Sequence, residues 1–333
     1  VAKAAVLGAG SWGTAFAMIL ADAGCSVKLW ARRREVADMI NSTHVNKDYL
    51  PTVSLPNSVV GTSNIATAIK GANFVVLAVT AQTLRSNLAE WAPLLGSNTM
   101  MVSLIKGIEA GSSSLMSTVI KDVVGADDSR IVVVSGPNLA GEIAARQPAA
   151  SVIACRDEAN GKLIQEACRT GYFRPYTSTD VIGCEIGGAV KNVISVATGV
   201  AEGIGLGDNA KASLITRGLA ETARLGIALG ARPETFSGLA GMGDLVATSA
   251  SSLSRNHRFG AGLALGLSAE ESLLSIGQTV EGYSSCQSVQ NLAMQHGVSM
   301  PIVDAVADVI SGRRRPQDAL FQLMARTVKP EYS

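Results

Sequence analysis

A glycine-rich turn held between a strand-like run and a helix-like run governs how this chain can begin to fold. Residues 4–7 are short and apolar, Gly8-Ala9-Gly10-Ser11-Trp12-Gly13 follows at once, and a helix-like stretch runs from Thr14 to Asp22. A second strand-like run occupies 27–30. In such a turn Gly8 permits the tight bend, Gly10 lets the backbone approach a pyrophosphate, and Gly13 lets helix and strand pack closely. The free N–H groups at the helix start, with the positive end of its dipole, suit phosphate oxygens. A glycine-rich turn alone is weak evidence. Its place in a strand–turn–helix–strand order is what points to a dinucleotide.

The same alternation continues. Strand-like runs are expected at 4–7, 27–30, 74–79, 100–105, 131–135, 150–154 and 172–176, most of them punctuated by Gly, Pro or Asn/Asp/Ser clusters. The polar, proline-containing stretch 41–63 reads as an irregular excursion over the sheet. After Thr179 strand-like runs cease; Asp180 reads as the N-cap of a long helix to about Gly203, with further helical patterns at 209–230, 233–238, 256–266, 268–277, 281–297, 301–311 and 315–326. The expected fold class is therefore α/β. A Rossmann-type, doubly wound, mostly parallel sheet domain over 1–179 is followed by an all-α C-terminal domain over 180–333.

Composition agrees and excludes several classes. Of 333 residues, 47% are hydrophobic and only 4% aromatic, which suits small, β-branched strands covered by close-packed helices. A net charge of +1 gives no general attraction to nucleic acid or anionic membrane. The five cysteines and three histidines are scattered, without CxxC or metal-ligand spacing, so buried thiols of a reducing compartment and no metal are expected. The longest apolar runs, such as 74–79, are strand-sized, so no membrane insertion is expected. With no leader-like start, the chain reads as a cytoplasmic protein.

The end of the second strand bears on the cofactor. An acid there usually holds a ribose 2′-hydroxyl, whereas a 2′-phosphate wants arginine. The chain has Trp30-Ala31-Arg32-Arg33-Arg34 before its first acid, Glu35, which favours NADP(H) with NAD possible. Ligands of open α/β sheets sit beyond the carboxyl ends of strands. At those ends stand Thr80-Ala81-Gln82, Lys106-Gly107-Ile108-Glu109 and Gly136-Pro137-Asn138-Leu139-Ala140. In the helical half, Lys191 and Asn192 interrupt a run of small residues, and a lysine buried there would lose charge stability and suit proton transfer. Asp244 lies in the glycine-flanked 241–245 and could orient a lysine or bind a substrate hydroxyl. Ser254-Arg255-Asn256 opens a helix and combines groups suited to an anion.

The sequence resembles the bacterial NAD(P)-dependent glycerol-3-phosphate dehydrogenases over nearly its whole length. The resemblance rests on GAGSWGTA at the start, KDYLP at 47–51, KGIE at 106–109, SGPNLAGE at 135–142 and EIGGAVKN at 185–192. It continues through GDNAKASLITRGLAE at 207–221, GMGDL at 241–245, SRNHRFG at 254–260 and TVEG at 279–282. It implies a cofactor site of Ser11, Trp12, Arg32, Arg33, Tyr49, Lys106, Ala140, Arg255, Thr279 and Glu281 beside the glycine turn. It implies a substrate site of Lys106, Gly136, Asn138, Lys191, Asp244, Ser254, Arg255 and Asn256, with Lys191 as proton donor and acceptor. Lys106 would polarise the carbonyl oxygen and, by like-charge repulsion, depress the pKa of Lys191. Thr80 and Asn138 depart from the pattern, which carries proline and serine or threonine there, and these put the shape of the cleft wall in question. The resemblance also implies a homodimer, a cytoplasmic setting, and the supply of glycerol 3-phosphate for phospholipids. Two other readings fit the residues: a β-hydroxyacid or sugar-acid dehydrogenase, and a non-catalytic NADPH sensor.

Overall fold

The protein is described by a computed structural model covering residues 1–251, 254–327 and 330. Up to Ser178, strands alternate with helices. The order is β1 Lys3–Leu7, α1 Ser11–Asp22, β2 Ser26–Trp30, α2 Arg34–Thr43, β3 Val59–Thr62, α3 Ile65–Ile69, β4 Phe74–Leu77 and α4 Leu84–Trp91. It continues with β5 Met100–Ser103, α5 Met116–Val124, β6 Ile131–Ser135, α6 Ala140–Ala144, β7 Ala149–Cys155, α7 Glu158–Ala167 and β8 Phe173–Ser178. The eight strands form one sheet in the order β3-β2-β1-β4-β5-β6-β7-β8. Every pairing is parallel except β6 with β7.

Strand alternation feeds two cores. Ala4, Val6, Phe74, Val76 and Val102 join the apolar cluster on one face, with α1 and α2; Ala5, Leu7, Val75, Leu77 and Met101 join the other, with α4 and α5. Burial on both faces explains why these strands read as nearly continuous apolar runs. The strand order reverses between β1 and β4, so the crevice beyond their carboxyl ends is the switch point where ligands of such sheets bind.

From residue 180 onward every element among the described residues is helical. The elements are α8 Val181–Gly203, α9 Asp208–Ala228, α10 Pro233–Ser237, a π-type turn Leu239–Gly243, and α11 Asp244–Ala250. They are followed by α12 Arg255–Ala264, α13 Ala269–Ile276, α14 Glu281–Gln295, α15 Pro301–Ile310 and α16 Pro316–Met324. Asp180 caps α8 by accepting from Gly183 N at 2.9 Å, and its other oxygen accepts from Arg232 N at 2.9 Å and Thr235 Oγ1 at 2.5 Å. α8 forms the axis of this half: a Cβ on Gly199 would meet His257 O of α12 at 2.0 Å, so the two backbones touch.

The structure corrects three expectations. Residues 41–63 are not wholly irregular, because α2 runs to Thr43 and Val59–Thr62 pairs with β2 as an edge strand. That strand is short and half-exposed, too weak a pattern to stand out from its polar surroundings. Three strands are displaced at their ends, β4 stopping at Leu77, β5 at Ser103 and β8 reaching Ser178. Finally, α8 is a 23-residue helix long and apolar enough by length and composition to cross a membrane, but 94% of its apolar window is buried inside the protein.

Candidate active site

The glycine turn lies at the switch point. Gly8 takes φ +130°, and a Cβ there would sit 2.4 Å from Ala78 O, just beyond β4. On Gly13 a Cβ would meet Gly8 O at 2.0 Å, so this glycine is packed between turn and strand. Gly10 has nothing within 4 Å of its Cβ position and caps α1 without a side-chain hydrogen bond. The first N–H groups of α1 have no intrahelical acceptors, and with the open space beside Gly10 they make a cradle that fits a pyrophosphate. The buried indole Nε1 of Trp12 also lacks a partner among the described residues.

Beyond β2, Arg32, Arg33 and Arg34 are all exposed. Arg33 pairs with Asp48 and Arg34 with Asp38 at 3.5 Å, whereas no ion pair to Arg32 occurs among the described residues. Asp48 and the adjacent Tyr49, which is 37% exposed, come from the loop after α2. The pairing of Arg33 with an acid distant in sequence was invisible beforehand.

At the junction of the two halves lies a three-charge cluster drawn from both. Lys191, on α8, donates to Asp244 Oδ1 at 2.5 Å and to Thr248 Oγ1 at 2.7 Å. Lys106, beyond β5, donates to Asp244 Oδ2 at 2.7 Å and to Gly136 O at 2.8 Å. A Cβ on Gly188 would lie 3.2 Å from Lys106 Cγ, so this glycine of α8 gives the lysine stem its passage. Lys191 is only 8% exposed, and burial brings its pKa down from 10.5 to about 8; the Lys106 charge pushes the same way and Asp244 opposes both. Asp244 is the first residue of α11, after the π-type turn, so the expected shaped turn ends in a helix. Thr248 lies one helical turn on and was missed; its only sequence signal is the i,i+4 polar pair with Asp244.

Around the cluster the polar groups are closely spent. Asn192 Nδ2 donates to Lys106 O at 3.2 Å, and Asn192 Oδ1 accepts from Asn256 Nδ2 at 2.9 Å. Asn256 Oδ1 in turn accepts from Gly282 N at 2.9 Å. Ser254 is the N-cap of α12, accepting from His257 N at 3.3 Å and sharing a bond with Ser195 Oγ. The side chains of Ser254 and Asn256 thus hold the frame, while Arg255, between them in the first turn of α12, is exposed. Glu281, at the start of α14, accepts from Ala81 N and from Ser284 Oγ at 3.2 Å, and lies within electrostatic reach of Arg255. Thr279 is exposed two residues earlier.

The wall beyond β6 contains Asn138, whose Nδ2 donates to Ser151 Oγ at 3.1 Å while its buried Oδ1 has no partner among the described residues. Ala140 begins α6 just behind it. Thr80 stacks its hydroxyl on Thr83 Oγ1 at 3.0 Å ahead of a short 3₁₀ turn, a local arrangement that leaves the Lys106 cluster untouched.

Comparison with known proteins agrees with this architecture. Residues 3–161 match the model of the NAD-dependent glycerol-3-phosphate dehydrogenase N-terminus, and 180–321 that of its C-terminus. A Streptomyces griseus glycerol-3-phosphate dehydrogenase (NAD(P)+) is 60% identical over 329 residues, covering 99% of this chain and 98% of its own. One from Corynebacterium glutamicum is 55% identical over 327 residues, 98% of each. The crystal structure of glycerol-3-phosphate dehydrogenase from Coxiella burnetii superposes with a TM-score of 0.93 at 36% identity, over 98% of this chain and 99% of that one. With both halves matched in order and a relative of this identity along its full length, the chain belongs to the NAD-dependent glycerol-3-phosphate dehydrogenase family.

Proposed function

We propose that the chain catalyses reversible hydride transfer between a nicotinamide dinucleotide and C2 of dihydroxyacetone phosphate or glycerol 3-phosphate, with Lys191 as proton donor and acceptor. The observation that carries this reading is the buried Lys191–Asp244–Lys106 cluster, in which one lysine is brought down to about 8. A group with that pKa is populated in both protonation states near neutrality, as reversible proton transfer requires.

The bound dinucleotide supplies or accepts the hydride. The turn Gly8–Gly13 and the N-terminus of α1 hold its pyrophosphate, with Ser11 and Trp12 at the turn and Tyr49, Ala140, Thr279 and Glu281 around it. Arg32 and Arg33 hold a 2′-phosphate, so NADPH is preferred over NADH. As the substrate carbonyl is reduced, negative charge builds on its oxygen. Lys191 gives that oxygen a proton while Lys106 stabilises the charge and Asp244 keeps both ammonium groups aimed. Arg255 and the α12 N-terminus anchor the phosphate, and Gly136 and Asn138 close the wall. Residues 1–179 act as the cofactor domain and 180–333 as the substrate domain. From family membership we also infer a cytoplasmic homodimer supplying glycerol 3-phosphate for phospholipids, to be tested by sedimentation for a mass twice that of the chain.

The deciding assay follows NADPH and NADH oxidation with dihydroxyacetone phosphate, using unphosphorylated dihydroxyacetone as control. Turnover with the phosphate ester, faster with NADPH and poor with the control, is expected. Equal turnover of both ketones overturns the phosphate anchor, and turnover with neither overturns the reaction.

A further inference from the structure

The loop after α2 carries a buried side chain that the proposed chemistry does not use. Asn46 has no solvent exposure, and its Nδ2 donates at 2.9 Å to Ala9 O and at 2.9 Å to Thr14 Oγ1. Ala9 is inside the glycine turn and Thr14 is in the first turn of α1. A backbone carbonyl can only accept, so the amide nitrogen must face Ala9 and the orientation of Asn46 is fixed. Its Oδ1 is buried without a partner among the described residues. That unpaired acceptor is a cost to folding which an apolar side chain of the same shape would avoid. What asparagine adds is the pair of hydrogen bonds to the turn.

The same residue shapes its own loop. Asn46 O accepts from Leu50 N at 2.8 Å and from Tyr49 N at 3.2 Å, forming the small turn that presents Asp48 and Tyr49. Asp48 pairs with Arg33, beyond β2. One residue therefore ties the glycine turn, through its side chain, to the segment its backbone carbonyl shapes at the arginine-bearing end of the crevice.

We propose that Asn46 is a positioning residue for the dinucleotide, holding the glycine turn in register with the Asp48–Tyr49 segment so that both engage one cofactor. This rests on reading Gly8–Gly13 as the dinucleotide site. Removing the amide leaves Ala9 O without its buried donor and lets the two segments move independently. Cofactor affinity should suffer for NADPH and NADH alike, while the Lys191 cluster, on other elements, is left intact.

The test titrates full-length wild type, Asn46→Ala and Thr14→Val with NADPH and with NADH by fluorescence, and measures steady-state kinetics with dihydroxyacetone phosphate. For Asn46→Ala, Kd for both cofactors should rise on the order of ten- to a hundredfold, with kcat at saturating cofactor within about twofold of wild type. The KM for the ketone should hardly move. Thr14→Val, which keeps the buried shape and removes one acceptor, should raise both Kd values a few-fold and remains informative if Asn46→Ala does not fold. Unchanged Kd values in the folded variants, or a fall in kcat with no change in Kd, overturn the proposal. Wild type that binds neither cofactor overturns the dinucleotide reading itself, a result distinct from wild-type binding that the substitutions leave untouched.

Discussion

Lys191 Nζ lies 2.5 Å from Asp244 Oδ1, while Lys106 Nζ lies 2.7 Å from the other oxygen of the same carboxylate. The Asp244 side chain is 1% exposed and the Lys191 and Lys106 side chains 9% and 14%, so the three charges interact with little solvent screening. An acid alone there would be costly to bury, and so would two lysines without it. The arrangement makes sense as a proton-transfer group kept near neutrality by opposing neighbours.

With Lys191 as the proposed proton donor, kcat/KM for ketone reduction should decline as pH rises through about 8, and oxidation should show the mirror rise. Lys191→Met should lose on the order of 10² to 10⁴ in kcat and abolish that pH limb. NADPH affinity by titration should stay within about twofold. A variant with wild-type turnover would sink the assignment.

Asp244 opposes the burial that lowers Lys191, so Asp244→Asn should move the same limb to lower pH as well as reduce kcat. The pH–rate profile, more than the loss of rate, separates this effect from simple disruption. A limb that stays near 8 in the variant would mean that the carboxylate does not tune the lysine.

Arg33 is held by Asp48 with side chains 59% and 41% exposed, a pair worth little to stability but one that would compete with the proposed 2′-phosphate contact. Asp48→Asn should free the guanidinium and tighten NADPH by roughly three- to fivefold, about 1 kcal/mol, with NADH within about twofold. Arg33→Ala should shift preference the other way. Paired Kd measurements for the two cofactors check both directions.

Glu221, on α9, accepts from Ile302 N at 2.9 Å at the start of α15, and burial pushes its carboxyl up from 4.5 to about 7. The unfolded chain releases that proton near 4.5 and the folded chain holds it until about 7. Folded protein therefore binds more protons across that window, and stability should fall as pH rises through it. The loss is on the order of 3 kcal/mol for Glu221. Glu185, buried under α5 and also raised to about 7, should add to it. Melting temperatures from pH 4.5 to 8 should therefore decline, and Glu221→Gln should flatten part of that slope. An unchanged slope would show that Glu221 ionises freely in the folded protein.

Much of this architecture was legible because it depends on short-range pattern. The turn from Gly8 to Gly13, the apolar strands and the Asp180 cap each carry their signal within a few residues. Lys191 stood out for the same reason, as a charge among small residues. The edge strand Val59–Thr62 was hidden because one half-exposed partner strand defines it, and pairing is not a local property. Asn46 and Asp48 were silent and Thr248 nearly so: each matters through a partner 15 or more residues away, Arg33, Ala9, Thr14 and Lys191 among them. Asn256 illustrates the reverse case, since its side chain suited an anion in sequence and is spent on Asn192 and Gly282 in the fold.

The shared carboxylate has one further consequence. Because Asp244 grips a lysine from beyond a sheet strand and another from the central helix, any hinge that parted the two halves along this line would first have to break this buried cluster. The rim is different in kind: Thr279, Arg255 and the arginines after β2 are exposed there, away from the buried cluster. The buried carboxylate is a keystone, the group on which a lysine from each half closes.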